Sequence, residues 1–137
     1  MNKTGYQNPN LPDLGAWFNW GLNVQDVKEF YFVTGTADVK SDNQSVNYPS
    51  DPVGQLRFIL EQMEITFSQA GYTKHDIVSV NWTVTKDVTD EQTWAILDVW
   101  ADYIADVKVK PAGGTWKRIY GLISPDVMVE LEMILAR

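Results

Sequence analysis

The chain has no cysteine. That excludes disulfides, thiolate zinc sites, iron–sulfur clusters and a cysteine nucleophile. Histidine occurs once, at His75, just before an apolar run, and no Ser/Asp partner or second ligand stands near it. A surface turn residue is the expectation there. No His/Asp/Glu spacing suits a metal, and the segment GTADVKS at 35–41 has a lone glycine, so no phosphate loop is present. Neither a metal nor a cofactor is expected. Positive charge is scarce: eleven Lys+Arg stand against eighteen Asp+Glu, a net charge of -7. A surface of that sign repels phosphate backbones and anionic lipid, so neither nucleic acid nor membrane is an expected partner. No apolar run approaches the roughly 20 residues of a membrane span. The first thirteen residues are polar, with Pro9 and Pro12, and do not read as a secretory leader, so a cytoplasmic location is expected.

What remains is an ordinary globular balance, 45% apolar and 21% charged, over 137 residues. That is one domain's worth of chain. The aromatic count is high: six Trp, six Tyr and five Phe. Residues 1–15 read as an irregular N-terminal arm. Residues 17–24 alternate loosely as a first strand, and KEFYFVT at 28–34 is a second, rich in aromatic and β-branched residues. Asp51-Pro52 opens a helix with a carboxylate cap and proline in the first turn. Leu56, Leu60, Met63 and Phe67 give it one apolar stripe, and Gly71 stops it.

Residues 77–85 form the cleanest strand, with Val78, Val80, Trp82 and Val84 opposed by Ser79, Asn81, Thr83 and Thr85. Thr89 with Gln92 is a capping box for a second helix. Its stripe is Trp94, Leu97, Ala101 and Ile104, widened by Ile96, Trp100 and Tyr103. Two strands close the chain, around 115–121 and 127–135. The order β-β-α-β-α-β-β implies an α+β domain, two helices on one face of a mixed sheet. The other face, carrying Tyr31, Asn81, Thr83, Met128 and Ile134, meets solvent or another subunit.

This order, with several local motifs, resembles the RidA (YjgF-like) family of imine and enamine deaminases, whose fold is chorismate-mutase-like. The motifs are FYFVTGT (30–36), QLRFILEQMEITFSQAGYTKHDIVSVNWTV (55–84), the helix with Trp100 and Tyr103, KPAGGT (110–115) and VMVELEMIL (127–135). The resemblance implies a homotrimer with a small-molecule cleft between neighbouring subunits. It implies hydrolysis of reactive imines, with an arginine forking the substrate carboxylate and a terminal-strand glutamate near the water.

Carried over by position, Glu130 is the glutamate and Thr34 precedes the glycine. The arginine expected after Pro111-Ala112 is replaced by Gly113. Lys110 is the first residue of the "RPA" segment and is not the carboxylate ligand. The first-strand tyrosine is matched by Phe18, the helix asparagine by Leu97, and the cysteine of active members is missing.

The candidate substrate-binding residues are therefore Phe18, Trp20, Thr34, Gly113, Gly114, Thr115 and Arg118, with Glu130 as the candidate catalytic acid. Alternation places Phe18 and Trp20 on one strand face and Trp17 on the other, an aromatic wall or subunit packing. Gly113-Gly114 either turns backbone N–H groups toward an anion or forms a plain turn. Arg118 reaches the cleft in one register and Lys117 in the other, or both are surface charges. Two readings follow. One is hydrolysis of an imine or enamine with an apolar or aromatic portion. The other is a non-catalytic binding or regulatory protein that keeps the cleft. A ribonuclease is disfavoured by the negative charge and the single histidine.

Overall fold

The computed structural model describes all of residues 1–137. Asp51 accepts a hydrogen bond from the Gly54 N–H at 2.9 Å, and Pro52 begins helix α1, Pro52–Ser68. Its apolar stripe, Leu56, Leu60, Met63 and Phe67, is buried as the spacing predicts. Gly71 ends the helical segment at a φ of 81°, where a side chain would be strained. One polar residue of α1 is also buried. Gln55 donates to the carbonyls of Tyr48 (3.0 Å) and Asp126 (2.9 Å) and accepts from the Met128 N–H (2.9 Å), tying two loops to the helix.

The remaining elements are strands β1 (Asn2–Tyr6), β2 (Gly21–Gln25), β3 (Phe30–Ala37), β4 (Ile77–Thr85), β5 (Trp116–Ile119) and β6 (Val129–Ala136), with helix α2 (Asp90–Tyr103) between β4 and β5. The main sheet runs β3-β6-β4-β5. β6 is antiparallel to both its neighbours and β5 is parallel to β4, so the sheet is mixed, as expected. Val80, Trp82 and Val84 of β4 face the helices with Val129, Leu131 and Met133 of β6, and are buried there with Ile96, Trp100 and Ile104. Full burial of each aliphatic side chain of this kind contributes about 2 kcal/mol.

The expected α+β architecture is present, with corrections at the N-terminus and on two faces. The arm at 1–15 contains strand β1, which pairs antiparallel with β2 as a separate ribbon. Its sequence, NKTGY, has no apolar alternation to announce it. The order is therefore β-β-β-α-β-α-β-β. The strand expected at 17–24 begins only at Gly21. Before it, the N–H groups of Trp17 and Phe18 both return to the Leu14 carbonyl, so residues 14–18 form a tight turn. Tyr31 lies on the helix face, its hydroxyl donating to the Thr66 carbonyl at 3.2 Å, and Met128 packs against the core. The outer face carries Phe32, Thr34, Asn81, Thr83, Glu130, Glu132 and Ile134.

On α2 the buried line is Ile96, Trp100 and Ile104, whereas Trp94, expected in the stripe, is 59% exposed. The capping box is present: Thr89 Oγ1 accepts from the Gln92 N–H, and Gln92 returns to the Thr89 N–H. At the other end the Lys110 ammonium donates to the carbonyls of Ile104 (2.6 Å), Val107 (2.9 Å) and Ala105 (3.4 Å). A cation there also complements the negative end of the helix dipole.

Candidate functional site

After α2 the chain returns as Pro111-Ala112-Gly113-Gly114 and is clamped between β4 and the 14–20 segment. The Ala112 N–H donates to the Val78 carbonyl (3.0 Å), the Val80 N–H donates to the Ala112 carbonyl (3.2 Å), and the Asn19 N–H donates to the Pro111 carbonyl (3.0 Å). Asn19 also donates through its side chain to the Lys110 carbonyl at 2.8 Å. This clamp closes one wall of a cavity of about 520 Å³. The other walls are Leu14, Trp17, Phe18 and Trp20 from the turn, Trp82 from β4, Thr93 and Leu97 from α2, and Trp116 from β5.

No ionisable side chain lines the cavity. Its aromatic rings form a connected cluster. Trp82 and Trp116 stack with centroids 5.4 Å apart at 19°, a contact delivered by the parallel β4–β5 register that pairs these two residues. Trp82 meets Trp100 edge-on (5.4 Å, 87°) and Phe18 likewise (6.1 Å, 77°). Phe18 stacks on Trp100 at 5.8 Å, and Trp100 donates its indole N–H to the Trp17 carbonyl at 3.0 Å. The exposed Trp94 leans on Trp17 at the rim, centroids 6.2 Å apart. Trp20 is held by its indole N–H, which donates to the Pro12 carbonyl at 2.8 Å.

The structure divides the sequence-derived candidates. Phe18, Trp20, Gly113 and Gly114 line the aromatic cavity together. Trp17, expected on the opposite face, lines it too, because a turn rather than an alternating strand carries these residues. Thr115 does not line it. Its N–H points to Asn81 Oδ1 at 3.5 Å, and its carbonyl accepts from the Trp82 N–H and from Lys117. Arg118 lies beside the cavity, donating to the Thr93 hydroxyl at 3.2 Å with Asp90 at 3.7 Å, while Lys117 pairs with Thr83 on the outer face.

Glu130 and Thr34 are elsewhere. Glu130 pairs with Thr83, one residue out of step with Trp82, and so lies on the opposite face of the sheet from the cavity. It lines a groove of about 550 Å³ with Thr34, Gly35, Asn43 and Ile123. Its carboxylate covers Gly35 so closely that a Cβ there would come within 2.6 Å of Oε1. Within one chain, then, the acid and the aromatic wall do not meet. Sequence reasoning missed Leu14, and it put Trp17 and Trp116 on strands bordering the cleft without counting them as binding residues. The signal for Trp116 was the Trp82–Trp116 pairing, visible only once β5 is known to run parallel to β4.

Gly113 has a specific role. A Cβ at this position would fall 2.8–3.0 Å from three ring carbons of Phe18. Glycine at 113 and the ring of Phe18 are one packed unit, and no side chain enters between them. No group of three or more His, Asp or Glu is placed to hold a metal ion. No helix is long and apolar enough to cross a membrane.

The architecture is that of known structures. The Rid-family protein YyfB of Yersinia pestis, itself of unknown function, superposes with a TM-score of 0.85 over 100% of both chains at 17% identity. The chain has the Rid fold. YyfA of Yersinia pestis, another protein of the conserved Rid family, matches at a TM-score of 0.65 and 18% identity, over 99% of this chain and 100% of its own. A member of the YjgF/YER057c/UK114 family from Mycobacterium tuberculosis matches at 0.59 and 19% identity, with 99% and 100% covered. At these identities the likeness is one of fold. No family model matches the sequence, and no curated protein matches it. In Rid-fold terms, β3, β6 and β4 supply the outer sheet face with Glu130, and the clamp at 111–114 with the 14–20 turn supplies the aromatic cavity.

Proposed function

We propose that this Rid-fold chain is a small-molecule-binding protein, and that its cavity takes a flat apolar or aromatic ligand. One observation carries the reading: four tryptophans and Phe18 line a cavity whose wall holds no ionisable side chain. Pockets of this size with apolar walls and few polar groups bind drug-sized ligands by burying most of their surface. Hydrolysis of a bound imine would need a group to orient water and to keep the nitrogen protonated. The cavity has no acid or base for this, its polar side chains Asn19 and Thr93 are bonded to Lys110 and Arg118, and Glu130 lies across the sheet from it.

We also propose a homotrimer assembled on the outer sheet face. Phe32 (72% exposed) and Ile134 present an apolar strip there beside Glu130 and Glu132. Assembly would make the Glu130 groove a cleft between subunits.

The groove supports a second reading, imine or enamine hydrolysis, because its carboxylate and the Thr34 hydroxyl share one recess. In that reaction water adds across the C=N bond to give a carbinolamine, which expels ammonia and leaves the carbonyl product.

A single pair of measurements separates the two. In a thermal-shift screen of aromatic compounds, ligands that raise the melting temperature of the wild type should lose most of that shift in Trp116→Ala, since binding to the native state stabilises it by mass action. Ammonia release from 2-aminoacrylate generated in situ should equal the buffer rate. Release that depends on Glu130 and disappears in Glu130→Ala would establish the hydrolase reading instead.

A further inference from the structure

We infer that the aromatic cavity is built for an uncharged ligand, and that Phe18 is the residue that sets this specificity. The inference rests on reading the cavity as a ligand site. It adds the chemical class that the site accepts and the side chain that enforces it.

The cavity wall contains no charged side chain, and Arg118 and Lys110, which adjoin the lining residues Thr93 and Asn19, are already engaged. Arg118 is held by the Thr93 hydroxyl and by Asp90. Lys110 directs its ammonium away, onto three carbonyls at the end of α2. A carboxylate entering here would give up its water and gain no ion partner, which disfavours it strongly. The net charge of -7 adds a repulsive field at longer range.

Cations are excluded differently. Their attraction to aromatic walls acts at the ring faces, whereas ring edges carry positive potential. Phe18 lies against Trp100 and Gly113, and Trp82 and Trp116 are stacked on each other, so these faces are closed to a cation, and the wall offers it no carboxylate in exchange for its water. A neutral planar ligand has neither penalty. It gains area burial and ring contacts alone.

Phe18 enforces this through Gly113. Position 113 lies in the cavity wall, where a side chain could carry a charge to a ligand. The Phe18 ring occupies the place of its Cβ, at 2.8–3.0 Å. Any side chain at 113 must displace that ring from its stack on Trp100. The wall therefore stays free of charge for as long as residue 18 is a large aromatic packed on a glycine.

The test is calorimetric titration at neutral pH with three probes on one ring system: methyl 2-naphthoate, 2-naphthoate and 2-naphthylmethylammonium. The ester should bind at least about tenfold tighter than either ion, about 1.4 kcal/mol. Gly113→Arg alone should gain no naphthoate affinity, because Phe18 bars the new side chain. Phe18→Ala combined with Gly113→Arg should gain at least about tenfold for naphthoate. Circular dichroism checks that each variant is folded, and the wild-type series decides the matter if the double variant is not. Either ion matching the ester on the wild type, or naphthoate binding gained by Gly113→Arg alone, overturns the inference and leaves the cavity a ligand site. Failure of all three probes to bind overturns both.

Discussion

At the scale of single residues, two polar groups away from the cavity, Gln55 and Tyr103, serve the frame. Gln55 satisfies three backbone groups from a fully buried position. Tyr103, on the last turn of α2, donates its hydroxyl to Glu64 of α1 at 2.9 Å, with the Lys74 ammonium 5.3 Å from its ring centroid. Burial first, then the hydrogen bond to Glu64 and that carboxylate's charge, push the phenol well above its usual range. A raised acid keeps its proton in the native state while the unfolded chain releases it. Its contribution to stability is therefore complete below about pH 10 and declines as pH rises past that value. Tyr103→Phe should remove this decline: urea midpoints measured at about pH 9 and about pH 11 should differ less in the variant than in the wild type. An equal fall in both would show that Tyr103 does not couple the helices.

At the scale of elements, what the sequence made legible was whatever depends on local chemistry. The Asp51-Pro52 start of α1, the Thr89–Gln92 box of α2 and the alternation of β4 are all local signals, and all are present. What it hid depends on partners distant in the chain. β1 is a strand only because β2 pairs with it. Residues 17–20, read as the start of the alternating strand at 17–24, instead follow a turn, because Asn19 is drawn to Pro111 and Trp100 reaches the Trp17 carbonyl. Trp94 fits an apolar stripe drawn on the helix, but the centre of the buried face lies at Ile96 and Trp100, and the difference puts its indole outside. Candidate site residues were legible by type; their division between two faces of the sheet required the register of β4 against β6. Lys110 is also an element-scale device, fastening the end of α2 to the clamp that walls the cavity. Lys110→Met should loosen that end, lowering stability by about 1 kcal/mol and speeding amide exchange in the last turn of α2 more than in β4. Uniform exchange across both elements would contradict a local cap.

At the scale of the whole molecule, the helices cover one side of the sheet and leave the other bare. Phe30 and Phe32 are 56% and 72% exposed on β3, and Ile123 is 82% exposed beside the Glu130 groove. Contiguous apolar surface of this kind marks an association face. If the proposed homotrimer forms there, sedimentation velocity of the wild type should give a trimer, and Phe32→Glu should give monomers of unchanged circular dichroism. A monomeric wild type would sink the assembly and with it any cleft shared between subunits. The division of labour is then one of surfaces: association and the acidic groove on one side, aromatic enclosure on the other.

The cluster of Trp116, Trp82 and Trp100, each neighbouring pair 5.4 Å between centroids, has an optical consequence. Indoles this close share their excitation, so the three absorb and emit as a coupled set with its own signed band in the ultraviolet dichroism. Trp116 and Trp82 are the members that line the cavity. A molecule settling against them perturbs the whole set at once, and the protein carries, without any added dye, a built-in reporter of whether its cavity is filled.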